Sequence, residues 1–550
     1  MSTTTCSPRI TLIDRHAMPC PPRWRASWKS VLTHTHTYSG RADHGGTVQP
    51  PESYRRLARW TAARGIEALG MGSPYTPGSA STYQRYDGKE RDTYYAPHFD
   101  RKRVRQLDEI NGMLEDVARH ATHGTLFYLD NETPKGRYGH MWWVGYHPDY
   151  PAWHDYDQDF DRWMVHQSIP SDDSDEPMGY HRRPYAQIVA IQRHHGALGF
   201  WAHPTSWWRD GEGRFITNIA SEMPAHLIAE GFVDGMVVMG YQPYRPAYLA
   251  LWHKLLDAGY RVPAVAEMDV GLSSEATWRR ERVLLNYGWL GERGERSPLT
   301  VDDLTTAFRD GRLFASSGPL LDLQVDGQVM GQAVETAAGQ NHAVELTAYP
   351  ADPAQRLGRI ELRGRGGELL WSCDDFAGGT LRLALNGTAE RSYITARVFG
   401  AGEADGEADF RQVAQVAISN PVYLHPRGQT FEVGLNTQVH VAVGADSPFA
   451  GGTVRFEDAA GGLLEQGTLK QEGATATMPA HGRVTCVAGD GQSRTDYLIN
   501  ANARLQDEQR YLYRGRFLRD FPDCASGDVP PEAWRLDAFR TAMERVTLNV

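Results

Sequence analysis

The sequence predicts an α/β barrel-like domain followed by β-sandwich domains. Three observations lead there. From Trp28 to about Ser297 apolar β-like runs alternate with helical patterns, as parallel strands wound with helices do. From about Phe314 the texture changes to short alternating strands broken by Gly and Asp turns, the pattern of a sandwich. The chain has 550 residues, more than one hydrophobic core holds, so several domains are expected.

In chain order, residues 1–26 read as an N-terminal tail. Residues 27–300 read as the barrel, with strands near 65–71, 125–129 and 232–238 and helices over 51–64, 101–121, 184–196 and 246–259. An insertion at about 142–208 carries Trp142, Trp143, Trp153, Trp163, Trp201, Trp207 and Trp208, seven of the chain's 15 tryptophans. It either packs a small core of its own or offers an aromatic wall to a sugar or aromatic ligand. A helix over 301–310 stops at Gly311 and opens a β-sandwich domain over 301–425, with strands near 321–327, 343–349 and 392–398. A second β-rich domain spans 426–500, with clear alternation at 438–443. The C-terminal segment 501–550 is expected to carry a helix over 533–546.

Charge narrows the partners. With 57 Lys and Arg against 68 Asp and Glu the net charge is −11, which argues against nucleic acid, whose binding needs a basic surface. The five cysteines (Cys6, Cys20, Cys373, Cys486, Cys524) are scattered, with neither zinc-finger spacing nor a disulfide framework. The first residues lack the apolar core of a signal peptide, and no apolar run is long enough for a bilayer. The expectation is a cytoplasmic protein acting on a small-molecule or saccharide substrate, with no membrane partner. The β-domains leave room for a homo-oligomeric interface.

The chemistry gathers around Leu32-Thr33-His34-Thr35-His36-Thr37-Tyr38-Ser39. On a strand, His34 and His36 would share a face, because side chains alternate with period two. Both imidazoles could then reach one cation at about 2.0–2.1 Å. Further on come Glu132, His140, His203 and Asp269, at or near the ends of apolar runs. Each has an ordinary alternative: Glu132 a solvated loop acid, His140 and His203 partly buried histidines, Asp269 a helix cap. Their recurrence at strand ends points to the ligand set of one or two divalent metal ions, zinc, manganese or iron.

The order of these residues resembles the PHP (polymerase and histidinol phosphatase) metallohydrolases, and more closely the carbaryl-hydrolase, CehA/McbA-like branch. The resemblance runs from about Trp28 to Tyr423. It is carried by His34-Thr35-His36-Thr37-Tyr38-Ser39, Gly139-His140, Ala202-His203-Pro204 and the run from Leu255 to Val265. Beyond these lie Gly311-Arg312-Leu313-Phe314-Ala315-Ser316-Ser317-Gly318-Pro319 and Val416-Ala417-Ile418-Ser419-Asn420-Pro421-Val422-Tyr423. It implies a PHP-type distorted (β/α) barrel followed by a β-sandwich. It also implies two metal sites: His34, His36, Glu132 and Asp269 for one, Glu132, His140 and His203 for the other. A third site of that family is missing, since Gly40, Ser73-Pro74 and Gly271 stand at its ligand positions; Asp43, His44 and Glu267 lie nearby as substitutes.

The function implied is metal-dependent hydrolysis of an ester-type bond, a phosphoester or a carboxylic or carbamate ester, by a metal-activated water. Glu132, His203, Asp269 and Arg137 are the candidate catalytic residues. Lys135, Arg137, Arg193 and Arg209 either bind an anionic group or are solvated charges. Two alternatives stand beside this reading. One is a carbohydrate-active enzyme cleaving a glycosidic bond on the same scaffold, with Asp130, Glu132 or Glu267 as free carboxylates. The other is a non-catalytic binding module.

Overall fold

The computed structural model describes residues 10–36, 51–72, 115, 118, 119, 124–136, 139–146, 192, 193, 195–202, 207–209, 215–217, 233–240, 246–257, 259–271, 283–296, 298–350, 352, 354–403, 415–431, 436–458, 462–479, 482–498 and 545–550. They are predominantly β. They fall into two compact bodies, one drawn from Met1–Pro74, Glu109–Asn131 and Gly235–Val433, the other from Tyr75–Asp108, Glu132–Asp234 and Gly434–Val550.

The first body opens with parallel strands. Trp28–Leu32 pairs with Ala68–Gly72, which pairs in turn with Leu126–Gly136. Gly235–Met239 runs parallel to Ala264–Ala266, and Thr35–His36 to Val270–Gly271. Leu69, Met71, Val237 and Val265 are fully buried. Parallel strands covered on both faces read as continuous apolar runs rather than alternating ones, which is why these segments were legible. Helices Pro51–Ala63 and Pro246–Asp257 form where the helical pattern lay. Val301–Arg309 starts at a capping box, in which the Thr300 and Asp303 side chains each satisfy the other's main-chain N–H.

The sheet then continues into the sandwich. Leu285–Trp289 pairs antiparallel with both Trp28–Leu32 and Leu313–Ser316. Leu313–Ser316 pairs with Val416–Ser419, and that strand with Ser392–Gly400. Beyond it lie Leu357–Arg363 and Leu369–Cys373. A separate antiparallel sheet has the order Ile10–Ala17, Gly379–Asn386, Asn341–Tyr349, Leu320–Val325, Gln328–Val329. Leu323, Leu346, Leu383, Ile360 and Val398 are buried completely. The segment expected as a tail is therefore corrected: Ile10–Ala17 is an edge strand, with Ile10 opposite Leu385, and Pro22–Ser27 is a helix. Ile10 is buried, and seven paired residues give the segment a place that composition alone did not show.

In the second body Gly139–Val144 pairs with Leu198–Trp201, and Trp207–Arg209 with Phe215–Thr217. Trp142, Trp143 and Trp201 are fully buried, and Trp142 stacks on Phe200 with centroids 4.7 Å apart. These three tryptophans are core, not an exposed aromatic wall. Trp153 and Trp163 lie outside the described residues. The β-rich C-terminal part forms a three-stranded sheet of Ala474–Pro479, Asn436–Ala442 and Arg545–Asn549 and a four-stranded sheet of Leu463–Thr468, Thr453–Asp458, Gly482–Val487 and Ser493–Leu498. They share a core of Val439, Val441, Val454, Phe456 and Val484.

The closing helix expected over 533–546 is corrected at its end. Residues 545 and 546 belong to a strand paired in parallel with Asn436–Ala442, and 533–544 lie outside the described residues. Of the helices expected over 101–121 and 184–196, only residues 115, 118, 119, 192, 193, 195 and 196 are described; the first five are helical, and 195 and 196 form a turn. Among the described residues no helix is long and apolar enough to cross a membrane.

Candidate active site at the strand ends

The strand Trp28–Leu32 stops two residues short of His34. His34 has φ +57°, and strand geometry resumes only at Thr35–His36. The expectation that His34 and His36 share a face through period-two alternation is therefore corrected, because a left-handed residue interrupts the pleat. A non-glycine residue at positive φ costs about 1–3 kcal/mol and persists only when its surroundings hold it there. Asp269, at φ +43°, is a second such residue beside it.

Two buried carboxylates hold His34. Its main-chain N–H donates to Asp130 Oδ2 at 2.6 Å, and its ring Nδ1 lies 2.6 Å from Glu267 Oε2. Both acids are buried, Glu267 completely. Across the ring, Nε2 lies 3.5 Å from Asp269 Oδ1, whose side chain keeps 17% of its surface exposed. Burial, with the Asp130 carboxylate nearby, pushes the Tyr128 phenol well above its usual range. Asp130 pairs in register with Gly72, and Glu267 and Asp269 follow the strand Ala264–Ala266. His34, Glu267 and Asp269 thus lie just past the C-terminal ends of strands, where loops meet in strand-and-helix folds, and Asp130 reaches them from within Leu126–Gly136.

Two glycines make room for the acids. A Cβ on Gly70 would lie 2.3 Å from Asp130 Oδ2, and one on Gly240 would lie 2.7 Å from Glu267 Oε1. Two asparagines fix the strand that leads into the site. Asn420 accepts from Ala264 N–H at 2.7 Å and donates to Ala264 C=O at 2.9 Å. Asn286 does the same to Ala266, at 2.7 and 2.8 Å. A side-chain amide carries a donor and an acceptor and so stands in for a neighbouring strand. Thr33 adds a bond to Ala266 C=O at 2.8 Å, and Glu267 N–H donates to Met239 C=O at 2.9 Å.

Of the residues expected from sequence, the structure brings together His34 and Asp269. His36 pairs through its main chain with Gly271 and Gly72. Glu132 was expected after its strand; the strand runs on to Gly136, so Glu132 lies inside it. His140 lies in Gly139–Val144. The side chains of His36, Glu132, Lys135, His140 and Arg209 are outside the description, as are His203, Arg137, Asp43 and His44 altogether. Arg193 pairs with Asp234 at 3.0 Å, and Asp234 also accepts from Gly199 N–H at 2.8 Å, so it serves its own body's packing. The sequence offers Asp130 only as a free carboxylate for a glycosidic bond, and Glu267 as that or as a substitute ligand at the missing third site. Asn286 could have been suspected as a lone amide in the apolar strand Leu285–Trp289, whereas nothing local marked Asn420.

The donor chemistry of this pair fits a divalent cation. A separation of 3.5 Å between His34 Nε2 and Asp269 Oδ1 exceeds the roughly 2.7–2.9 Å of a charge-assisted hydrogen bond. It is close to the ~3.4 Å that separates two ligands set tetrahedrally about 2.0–2.2 Å from one zinc. Among the described residues no group of three or more His, Cys, Asp or Glu could hold a metal, so the described part of such a seat is this pair.

No family model matches the chain, and no curated protein matches it. Among solved structures the chain is similar to BcpA, the major pilin subunit of Bacillus cereus, with 11% identity and a TM-score of 0.14 over 34% of this chain and 67% of that one. The chain spans about two thirds of the pilin's length. It is also similar to the fibronectin(III)-like modules of Clostridium thermocellum CbhA, with 15% identity and a TM-score of 0.12 over 32% of this chain and 90% of that one. An engineered protein overlaps 72% of this chain and 93% of its own length, with 12% identity and a TM-score of 0.16. Overlaps this loose say nothing about chemistry.

Proposed function

We propose that the chain is a metal-dependent hydrolase of an ester-type bond, built on a PHP-type α/β scaffold. One observation carries the reading. His34 Nε2 and Asp269 Oδ1 lie 3.5 Å apart on a partly exposed edge of the strand ends, and both residues sit in left-handed backbone conformations. Strain of this kind collects at functional sites.

His34 and Asp269 would hold the cation, and His36 is the further donor proposed from the sequence within the same body. A bound divalent ion would supply a water of lowered pKa and polarise the scissile bond. The chain's own part is orientation. Asp130 anchors the His34 main chain, Glu267 holds its ring, and the asparagine-clamped strand sets the place of Asp269. The glycosidic alternative loses three of its seven tryptophans to the core.

The test pairs elemental analysis of the purified full chain with a panel of phosphomonoesters, phosphodiesters, aryl esters and carbamates. Bound zinc, manganese or iron that falls in His34→Ala and Asp269→Ala, with turnover of one ester class lost in both, is the expected result. A chain that takes up no divalent ion, or a loaded chain inert on the whole panel, would sink the reading.

A further inference from the structure

The contact between His34 and Glu267 has a direction. An ionised carboxylate only accepts hydrogen bonds. Glu267 Oε2 lies 2.6 Å from Nδ1, so in the neutral ring the proton belongs on Nδ1. The lone pair then belongs to Nε2, the nitrogen that faces Asp269. Glu267 is itself held in place. Its N–H donates to Met239 C=O at 2.9 Å, its Oε1 packs against Gly240 so closely that a methyl group would collide, and the strand before it is clamped by Asn286 and Asn420. A rigid acid aimed at one nitrogen of a histidine is how a second layer of residues sets a ligand's tautomer.

We propose that Glu267 is a positioning residue, which fixes His34 as the Nδ1–H tautomer and aims Nε2 into the seat shared with Asp269. The proposal rests on the metal reading above. It departs from the sequence-based view of Glu267 as a spare acid, because a side chain committed to His34 is an orienter and not a replacement ligand. Gly240 belongs to the same device: the missing Cβ is the space that Glu267 Oε1 occupies.

The experiment uses the full chain. Nitrogen-15 NMR of labelled histidines, with His34→Gln for assignment, reads the tautomer of the metal-free protein. Competition with a chromophoric chelator reads Zn2+ affinity. The expected results are an Nδ1–H tautomer in the wild type and its loss in Glu267→Ala. Zinc affinity is expected to fall by about 10–100-fold in Glu267→Ala and less in Glu267→Gln, which keeps an acceptor oxygen. If Glu267→Ala does not fold, Gly240→Ala carries the same test, since its methyl group displaces Oε1. An Nε2–H tautomer in the wild type would overturn the proposal, and so would unchanged zinc affinity in both Glu267→Ala and Gly240→Ala beside a loss in Asp269→Ala. A wild type that binds no zinc, with the His34 proton still moved by Glu267→Ala, would overturn the metal reading and uphold the positioning role.

Discussion

Removing the Asn420 side chain should loosen the strand that delivers Glu267 and Asp269. In the wild type the amide makes three bonds: from Ala264 N–H at 2.7 Å, to Ala264 C=O at 2.9 Å and to Leu313 C=O at 2.9 Å. Leu313 C=O keeps a second donor, the Asn420 main-chain N–H at 3.3 Å. Ala264 loses both amide contacts at once, in a place where Asn420 and Ala264 are completely buried. Each buried backbone group so stranded costs about 1–3 kcal/mol, so Asn420→Ala, which strands two, should cost about 2–6 kcal/mol. That is a large part of the roughly 5–15 kcal/mol that keeps a domain folded.

Asn420→Asp should be worse at neutral pH, because a buried carboxylate would face the Ala264 and Leu313 carbonyl oxygens without a proton to offer. Urea unfolding measures the loss, and hydrogen exchange of a peptide spanning 262–269 places it. A loss below about 1 kcal/mol, with exchange over 262–269 unchanged, would refute the view that this amide substitutes for a neighbouring strand.

Three further outcomes follow from the same geometry. Gly70→Ala puts a methyl group 2.3 Å from Asp130 Oδ2; overpacking of this kind costs about 1–3 kcal/mol, and both the thermal midpoint and zinc uptake should fall, so an unaltered midpoint would contradict the packing. Tyr393→Phe removes a hydroxyl that donates to Asp257 Oδ1 at 2.9 Å and lies 3.1 Å from His253 Nδ1; a loss of about 1–3 kcal/mol in urea unfolding is expected.

The third outcome concerns pH. Burial raises Asp322 from 3.8 to about 6. The folded state thus favours the protonated acid, and the stability this group contributes is full below pH 4 and lost as pH rises through about 6. Asp322→Asn should remove that loss, worth about 2–3 kcal/mol at 1.36 kcal/mol per unit, so the variant should gain on the wild type between pH 4 and 7. Parallel stability profiles over that range would refute the assignment. His253 runs the other way. Burial, then Arg397 and Arg363, lower it to about 3, so its contribution is full above pH 6.5 and lost as pH falls toward 3. His253→Gln should flatten that acid limb.

Local pattern and tertiary contact divided the work here. Segments with a long, clean pattern were legible. The helix Val301–Arg309 carries its capping box in Thr300 and Asp303, and Asn341–Tyr349 and Ser392–Gly400 fall on the alternating runs. Ile10–Ala17 was not legible, because only Ile10 among its eight residues is buried, so the strand exposes little apolar pattern. Trp142, Trp143 and Trp201 are compatible in sequence with a core of their own or with an aromatic wall; burial in the body's own packing makes them core.

At the site, the sequence by itself determined the residue types. It placed His34 and Asp269 beside strand ends, where apolar runs stop, and that depends on neighbours within a few positions. The tertiary structure decided how those residues are held. His34 meets Asp130 across 96 positions and Glu267 across 233, and Ala264 meets Asn420 across 156. Periodicity reports which face a side chain takes within one element, and it carries no information across such separations. The left-handed turn at His34 is the clearest case. Nothing in Leu32-Thr33-His34-Thr35-His36 demands φ +57°. Two carboxylates arriving from distant strands impose it, each in the space that a glycine leaves open.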